Sequence, residues 1–454
     1  MTKGRHTVRG VRRGLAASVS VALLLAAVQC APGGDESEPV LTGGRLEVLG
    51  VWSGVEQRRF QDVLRRFASR TGVAVTYTSA ASDGVPVALA ARLAAGRPPG
   101  VAMLPQPGLL RRLAASGRLV PPGDEVVAEV RRNYPAVWRR LGSFRGRLYG
   151  VWFKAANKSL VWYDVAAFER AGVVPPRDLA GLLAVARRLA DAGVTPFAVS
   201  ARDGWTLTDW FEDIYLRTAG PRRYDRLARH RIPWTDPTVR GALRVMSALL
   251  DPSYVAGGVS GALRTGFEQS VEAVFSDRPA AAMVHGADFV AGVVTGRTTA
   301  RLVVDADVFP FPGSGSSLPT VVGGGDVAVM LRRSAAGDAL LRYLASPEAA
   351  AVWAARGGFV SPNVNLDLGV YPGDMARSVA RGLLDAGDAF RFDLSDLQPT
   401  AFGGQEGAGM QRELRDLLRH RDVGRAAAGL ERAAQQAYAD ELRLVDDAAV
   451  TGRR

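Results

Sequence analysis

A chain of 454 residues exceeds what one hydrophobic core usually serves, so two lobes are expected, and its 47% apolar content describes a globular body. The formal charge of +12 comes from Arg scattered over many helix faces, with no Lys/Arg run and no interleaved aromatics, which argues against nucleic acid as a partner. Cys30 is the only cysteine, so no intramolecular disulfide can form, and histidines at 6, 230, 285 and 420 give no metal-ligand spacing.

Lys3, Arg5, Arg9, Arg12 and Arg13 precede the apolar run VSVALLLAAV. That run is too short for a stable membrane span, and residues 1–29 read as an export signal. Arg12-Arg13-Gly14-Leu15 also fits a weak twin-arginine signal. Cys30 follows the apolar run directly, and the polar APGGDESEP leads residues 30–44 as a tether.

LEVLGVW (46–52) predicts a strand, and Phe60, Val63, Leu64 and Phe67 then recur at helical spacing. Ser53 and Glu56 form a capping box, Gly72 ends the helix, and VAVTY (73–77) returns as a strand. This βαβ unit predicts a partly parallel sheet with Trp52 and Ser53 at the carboxyl end of its first strand, where open α/β sheets take ligands. A helix with Leu89 and Leu93 stops at Gly96, VAML (101–104) is a strand, and a Pro105-Gln106-Pro107 turn precedes a short helix ending at Gly117.

Residues 143–164 are dense in aromatics and hold Lys154 and Lys158, the only lysines beyond the signal. Two lysines within five positions of an Arg-rich chain either answer a need for a compact ammonium or fall there by chance on a surface strand. A helix carrying Leu179, Leu182, Leu183, Ala186 and Leu189 ends at Gly193 before the strand-like PFAVS.

In DGWTLTDWFEDIYL (203–216), Thr206 and Asp209 stand at T-x-x-D spacing, which puts Trp205 just before the N-cap and Trp210 at the fourth helical position. Either the two indoles staple the helix start, or at least one presents its face to a ligand while Asp209 accepts hydrogen bonds from it. Asp236-Pro237 starts a further helix. AAMVH (281–285), RLVVD (301–305) and VFPFP are strand-like, followed by GSGSS and GGGDVAVML (323–331). The remainder is mostly helical apart from the FVSPN loop and the irregular FRFDLSDLQPTAFGGQEG.

Four of these stretches, LYGVWFKAANKSLVWYD, DGWTLTDWFEDIYLRTAG, LRYLASPEAAAVWAARGGFVSPN and FRFDLSDLQPTAFGG, resemble the extracellular solute-binding proteins of carbohydrate ABC importers, most closely the alpha-glucoside branch. The similarity covers roughly residues 45–440. It implies an α/β, two-lobed periplasmic-binding-protein-like (type II) fold with a hinge and an interlobe ligand cleft. Lobe 1 would be 45–153 with 322–365, lobe 2 would be 154–321 with 366–454, and the chain would cross near 150–155, 320–325 and 362–370. Cys30 resembles a lipobox cysteine, with Gln29 where that motif has a small residue, so a lipid anchor on the outer face of the cytoplasmic membrane is expected. The resemblance further implies a monomer without cofactor, a carbohydrate ligand, and permease subunits with an ATPase as partners. Two departures are visible: Pro98-Pro99-Gly100 replaces a common A-P-D, and Asp288-Phe289-Val290 replaces a common G-D-W.

Sugars offer apolar faces to aromatic planes and hydroxyl rims to Asp, Glu, Asn, Gln and Lys. Candidates from lobe 1 are Trp52, Glu56, Gln106 and Asp326, the last in a GGGD turn, with Lys154 brought near the cleft on a hinge strand. Lobe 2 would supply Trp205, Asp209, Trp210, His285, Asp288 and Phe289. Each has a structural alternative: Glu56 as a helix cap, His285 as a core histidine. Trp353 reads as core, Phe359, Ser361 and Asn363 as either cleft loop or structural turn, and Asp393 with Asp396 as local turn ligands.

An extracellular glycosidase would need two opposed carboxylates, whereas Asp209 and Glu212 are neighbours on one helical turn, and no G-x-S-x-G elbow exists. A binding lipoprotein for a polyamine stays open, since Asp209, Asp288 and Asp326 could converge on a cation.

Overall fold

The computed structural model describes residues 44–80, 84–313, 320–405 and 407–451, with side chains to 441. The expected export signal, Cys30, most of the expected tether and most of GSGSS lie outside them. The strands are β1 (Arg45–Gly50), β2 (Ala74–Ser79), β3 (Val101–Leu104), β4 (Ser143–Phe144), β5 (Arg147–Leu148), β6 (Gly150–Asn157), β7 (Leu160–Asp164), β8 (Phe197–Ala198), β9 (Met283–His285), β10 (Ala306–Pro310), β11 (Val321–Met330) and β12 (Phe390–Phe392).

One sheet runs β12-β11-β3-β1-β2, with β6 also paired to β11. Its β1–β2 and β1–β3 pairs are parallel, as the βαβ pattern predicts, and β11 runs antiparallel to both β3 and β6. Phe60, Val63, Leu64 and Phe67 form the buried stripe of the helix Gly54–Thr71, which ends at Gly72 with φ +73°. The second sheet runs β10-β7-β9-β8. Along β7 the period-two alternation sorts side chains between two cores: Leu160 and Trp162 join one, Val161 and Tyr163 the other. β6 and β7 are separated only by Lys158 and Ser159, so this two-residue passage links the sheets.

Several local readings are corrected. RLVVD is not a strand: it turns, with Val303 exposed at φ +72°. The GGGD segment is not a turn but the interior of β11, with a register shift between Asp326 and Val327. Its glycines admit neighbours that a side chain would displace: the Phe390 ring at Gly323, the Lys158 stem at Gly324 and the Lys154 backbone at Gly325. The irregular FRFDLSDL contains β12, parallel to the glycine end of β11, and a short helix Leu394–Leu397 capped by Asp393. The helix Gly373–Asp385 packs on β6 and β11, so the chain stays with the first sheet to Phe392, beyond the 362–370 expected for the last crossing. From Leu394 onward, the buried side chains join the core built around Trp210.

Candidate functional site

Helix 205–219 starts differently from the capping-box expectation. Its N-cap is Gly204 at φ +74°, with no side-chain cap. Thr206 Oγ1 instead donates to the Ser200 carbonyl, and Asp209 turns to Lys158. The staple is also absent. Trp205, half-buried, packs with Phe267 (5.2 Å) and Phe289 (6.1 Å), whereas Trp210 is 2% exposed and packs with Phe197, His285 and Phe311 on the core side.

Lys158 organises one charged cluster. Its ammonium lies 3.0 Å from Asp209, bonds Asp393, and sits 5.7 Å from the Trp205 ring centre. Asp393 caps the amide of Asp396, and Asp396 hydrogen-bonds Gln106, the residue preceding the helix Pro107–Ala115. Glu212 accepts from the amides of Leu394 (2.7 Å) and Ser395 (3.0 Å). Burial pushes Asp209 and Glu212 well above the ordinary carboxylate range and Asp396 up to about 8. Burial acts on Asp393 too, but the Lys158 charge and its hydrogen bonds outweigh it and hold that carboxyl low.

Lys154, on β6, organises the other cluster. It pairs with Glu56 and lies 5.3 Å over the Trp353 ring, with Asp326 and Asp288 as further negative neighbours. Glu56 therefore gives its charge to Lys154, and Ser53, although the N-cap, makes no side-chain cap bond. Asp326 receives the Trp52 indole N–H. Asp288 accepts from the Asn157 amide at 2.8 Å, and its second oxygen has no partner among the described residues. Burial raises Asp288 to about 6 and Asp326 to about 7 against the pull of Lys154. The clusters are continuous, because Asp326 also feels Lys158 and Asp396 feels Asp326.

Of the expected residues, Glu56, Gln106, Lys154, Trp205, Asp209, Asp288, Phe289 and Asp326 fall in this connected region. Trp52 borders it as a core residue, not as an open stacking plane: Phe60 (4.6 Å) and Trp353 (5.0 Å) pack against its ring. Trp210 and His285 stand behind it. His285 Nε2 lies 2.9 Å from Asp213, which also takes Ser159 and Arg217; Arg217 in turn donates to the carbonyls of Phe311 and Thr320. This network ties the β6–β7 passage to both ends of the 312–319 segment.

Lys158 and Asp393 were not singled out for the site. The lysine had a signal, being one of two in an Arg-rich chain. Asp393 had none, since a capping aspartate and an ion-pairing one look alike in sequence, and here one residue does both. Asp209, Glu212 and Asp393 place oxygens within 4.8 Å of one another, a spacing a metal could use. Lys158 bonds two of the three and backbone amides bond the third, so an ammonium already stands among these acids, with Asp209 Oδ2 left without a hydrogen bond among the described residues.

The model of the family described as bacterial extracellular solute-binding protein matches residues 53–351. The osmoprotective compounds-binding protein GgtB of Synechocystis sp. is 35% identical over 82% of this chain and 87% of its own. The alpha-glucosides-binding periplasmic protein AglE of Rhizobium meliloti is 33% identical over 87% of each. Among solved structures, the bacterial solute receptor AcbH superposes with a TM-score of 0.75 at 19% identity, covering 88% of this chain and 99% of that one. Strand order, the two linked sheets and the extent of these matches agree: the chain belongs to the bacterial extracellular solute-binding proteins, with their two-lobed α/β fold.

Proposed function

We propose that this protein is the receptor of an ABC importer and captures a carbohydrate between its lobes outside the cytoplasmic membrane. The observation that carries the reading is the half-buried Trp205, whose ring is neighboured by Phe267, Phe289 and the Lys158–Asp209 pair. An indole face beside charged hydrogen-bonding groups suits a sugar ring, whose C–H face stacks while its hydroxyls reach the rim. The names of GgtB and AglE, which speak of osmoprotective compounds and alpha-glucosides, support a glucoside-type solute. Glu56, Gln106, Lys154 and Asp326 would act from lobe 1; Trp205, Asp209, Asp288 and Phe289 from lobe 2.

A solute touching both lobes stabilises only the closed form, which gives hinge closure its driving force and the permease its docking state. A micromolar dissociation constant corresponds to about −8 kcal/mol, within reach of a stacked ring and several charge-assisted hydrogen bonds. In this reading the mature protein begins at a lipidated Cys30, works as a monomer without cofactor, and performs no hydrolysis. The test is calorimetry and thermal shift against maltose, trehalose, sucrose and their monosaccharides, with aryl glucosides as a hydrolysis control. A heat of binding and a raised melting temperature for at least one sugar, with intact glucosides, is the expected result. Silence across the sugars, or cleavage, refutes it.

A further inference from the structure

The two lysine clusters are not electrically balanced. Lys154 faces Glu56, Asp288 and Asp326, and Lys158 faces Asp209, Asp393, Asp396 and Glu212, three acids to one ammonium and four to the other. Among the described residues Lys154 pairs directly with Glu56 alone, and Lys158 with Asp209 and Asp393. Asp209 is 1% exposed and Asp288 6% exposed, yet one oxygen of each, Oδ2, accepts no hydrogen bond among the described residues. Folds rarely leave buried carboxylate oxygens unsatisfied, because the lost hydration is not replaced.

A hydroxyl can donate to such an oxygen, whereas a cation also stabilises the ionised carboxylate, which burial otherwise drives to hold a proton. Burial displaces Asp288, Asp326 and Asp396 upward, and the nearby lysine charges offset that desolvation only in part. The aromatic wall is compatible with a cation as well, for the Trp205 ring already lies within cation–π range of Lys158.

We propose that the solute is a carbohydrate carrying a protonated amine, an amino-bearing glycoside whose nitrogen binds the free oxygen of Asp209 or Asp288 while a ring stacks on Trp205. This rests on the carbohydrate reading and narrows it. The same charge excess disfavours uronates and phosphorylated sugars, which would bring like charge to buried carboxylates.

The experiment is calorimetry at pH 7 with maltose, trehalose and sucrose, each beside analogues with one hydroxyl replaced by an amine or one hydroxymethyl oxidised to a carboxylate. At least one amine analogue is expected to bind about tenfold or more tighter than its parent, and its uronate counterpart about tenfold or more weaker. Asp288→Asn should then weaken the amine analogue more than the parent; Asp209→Asn is the second variant, so that a folding failure in one leaves the other readable. Parents that bind as tightly as all their amines, or an amine advantage that survives both substitutions, overturn the proposal while leaving the carbohydrate reading intact. If no sugar of any kind binds and spermidine does, the carbohydrate reading itself falls and this proposal with it.

Discussion

Lys158 donates to Asp209 at 3.0 Å and to Asp393, so a single ammonium joins the passage between β6 and β7, the helix 205–219 and the segment that follows β12. These pieces come from three distant parts of the chain. Lys158→Met leaves two buried carboxylates side by side without their counterion, and the expected loss is about 3–5 kcal/mol in urea unfolding. Adding Asp393→Asn to that variant removes one of the stranded charges and should restore part of the loss. A single variant as stable as the parent would mean that the pair is open to water in solution.

Trp205 and Trp210, five positions apart on one helix, should separate cleanly. Trp205→Ala is expected to weaken sugar binding by more than about tenfold with a small change in melting temperature, because its ring is half-buried beside Phe289. Trp210→Ala should destabilise the sugar-free protein by about 3–5 kcal/mol, since it empties a core volume between Phe197, His285 and Phe311. Calorimetry and thermal unfolding on both variants decide; the reverse pattern would move the ligand to the other indole.

Stability of the ligand-free protein should fall as pH rises from about 4 to about 7. Burial lifts Asp326 to about 7 in the folded chain, so across that window the folded state keeps a proton that the unfolded state has released. The folded state binds more protons there, and raising the pH therefore favours unfolding. Asp288, at about 6, and Asp396, at about 8, act with the same sign. Melting temperatures measured from pH 4.5 to 7.5 should decline, and Asp326→Asn should flatten the decline; an unchanged slope in that variant would show that Asp326 is not desolvated.

Arg217 is expected to be a structural, not a ligand-facing, cation. Arg217→Met strips Asp213 of its buried partner and releases the carbonyls of Phe311 and Thr320, with an expected loss of about 3–5 kcal/mol in chemical unfolding. A loss below about 1 kcal/mol would mean that water replaces the guanidinium without cost.

Much of the first sheet was legible because its signals are local: the apolar stripe Phe60–Phe67, Gly72 at positive φ and the short apolar runs each report their own backbone state. The same locality explains the errors. Thr206 with Asp209 satisfies a capping pattern, but whether the carboxylate turns back to the Thr206 amide or out to Lys158 depends on an ammonium from a distant part of the chain. GGG reads as a turn by composition; it is strand because Phe390, Lys158 and the Lys154 backbone all press against β11, and three residues distant in sequence cannot be read from the glycines. Trp52 has the place of a cleft residue by strand position, yet Trp353, reached only by the fold, closes over its ring. Charge was harder still: nothing at Asp288 or Asp396 marks them as buried, so their displaced proton affinities belong to the tertiary structure alone.

β11 pairs with β3 through Val327–Leu104, with β6 through Gly323–Asn157 and with β12 through Val321–Phe390. Its partners are drawn from the first quarter, the second quarter and the last fifth of the chain. The amino-terminal half, on leaving the ribosome, therefore holds β3 and β6 without the strand that joins them, and the sheet cannot be completed until residues near 390 have been made. Such long-range pairing is intrinsically slow. A polypeptide that cannot finish its sheet early stays open and threadable until its last fifth has been made.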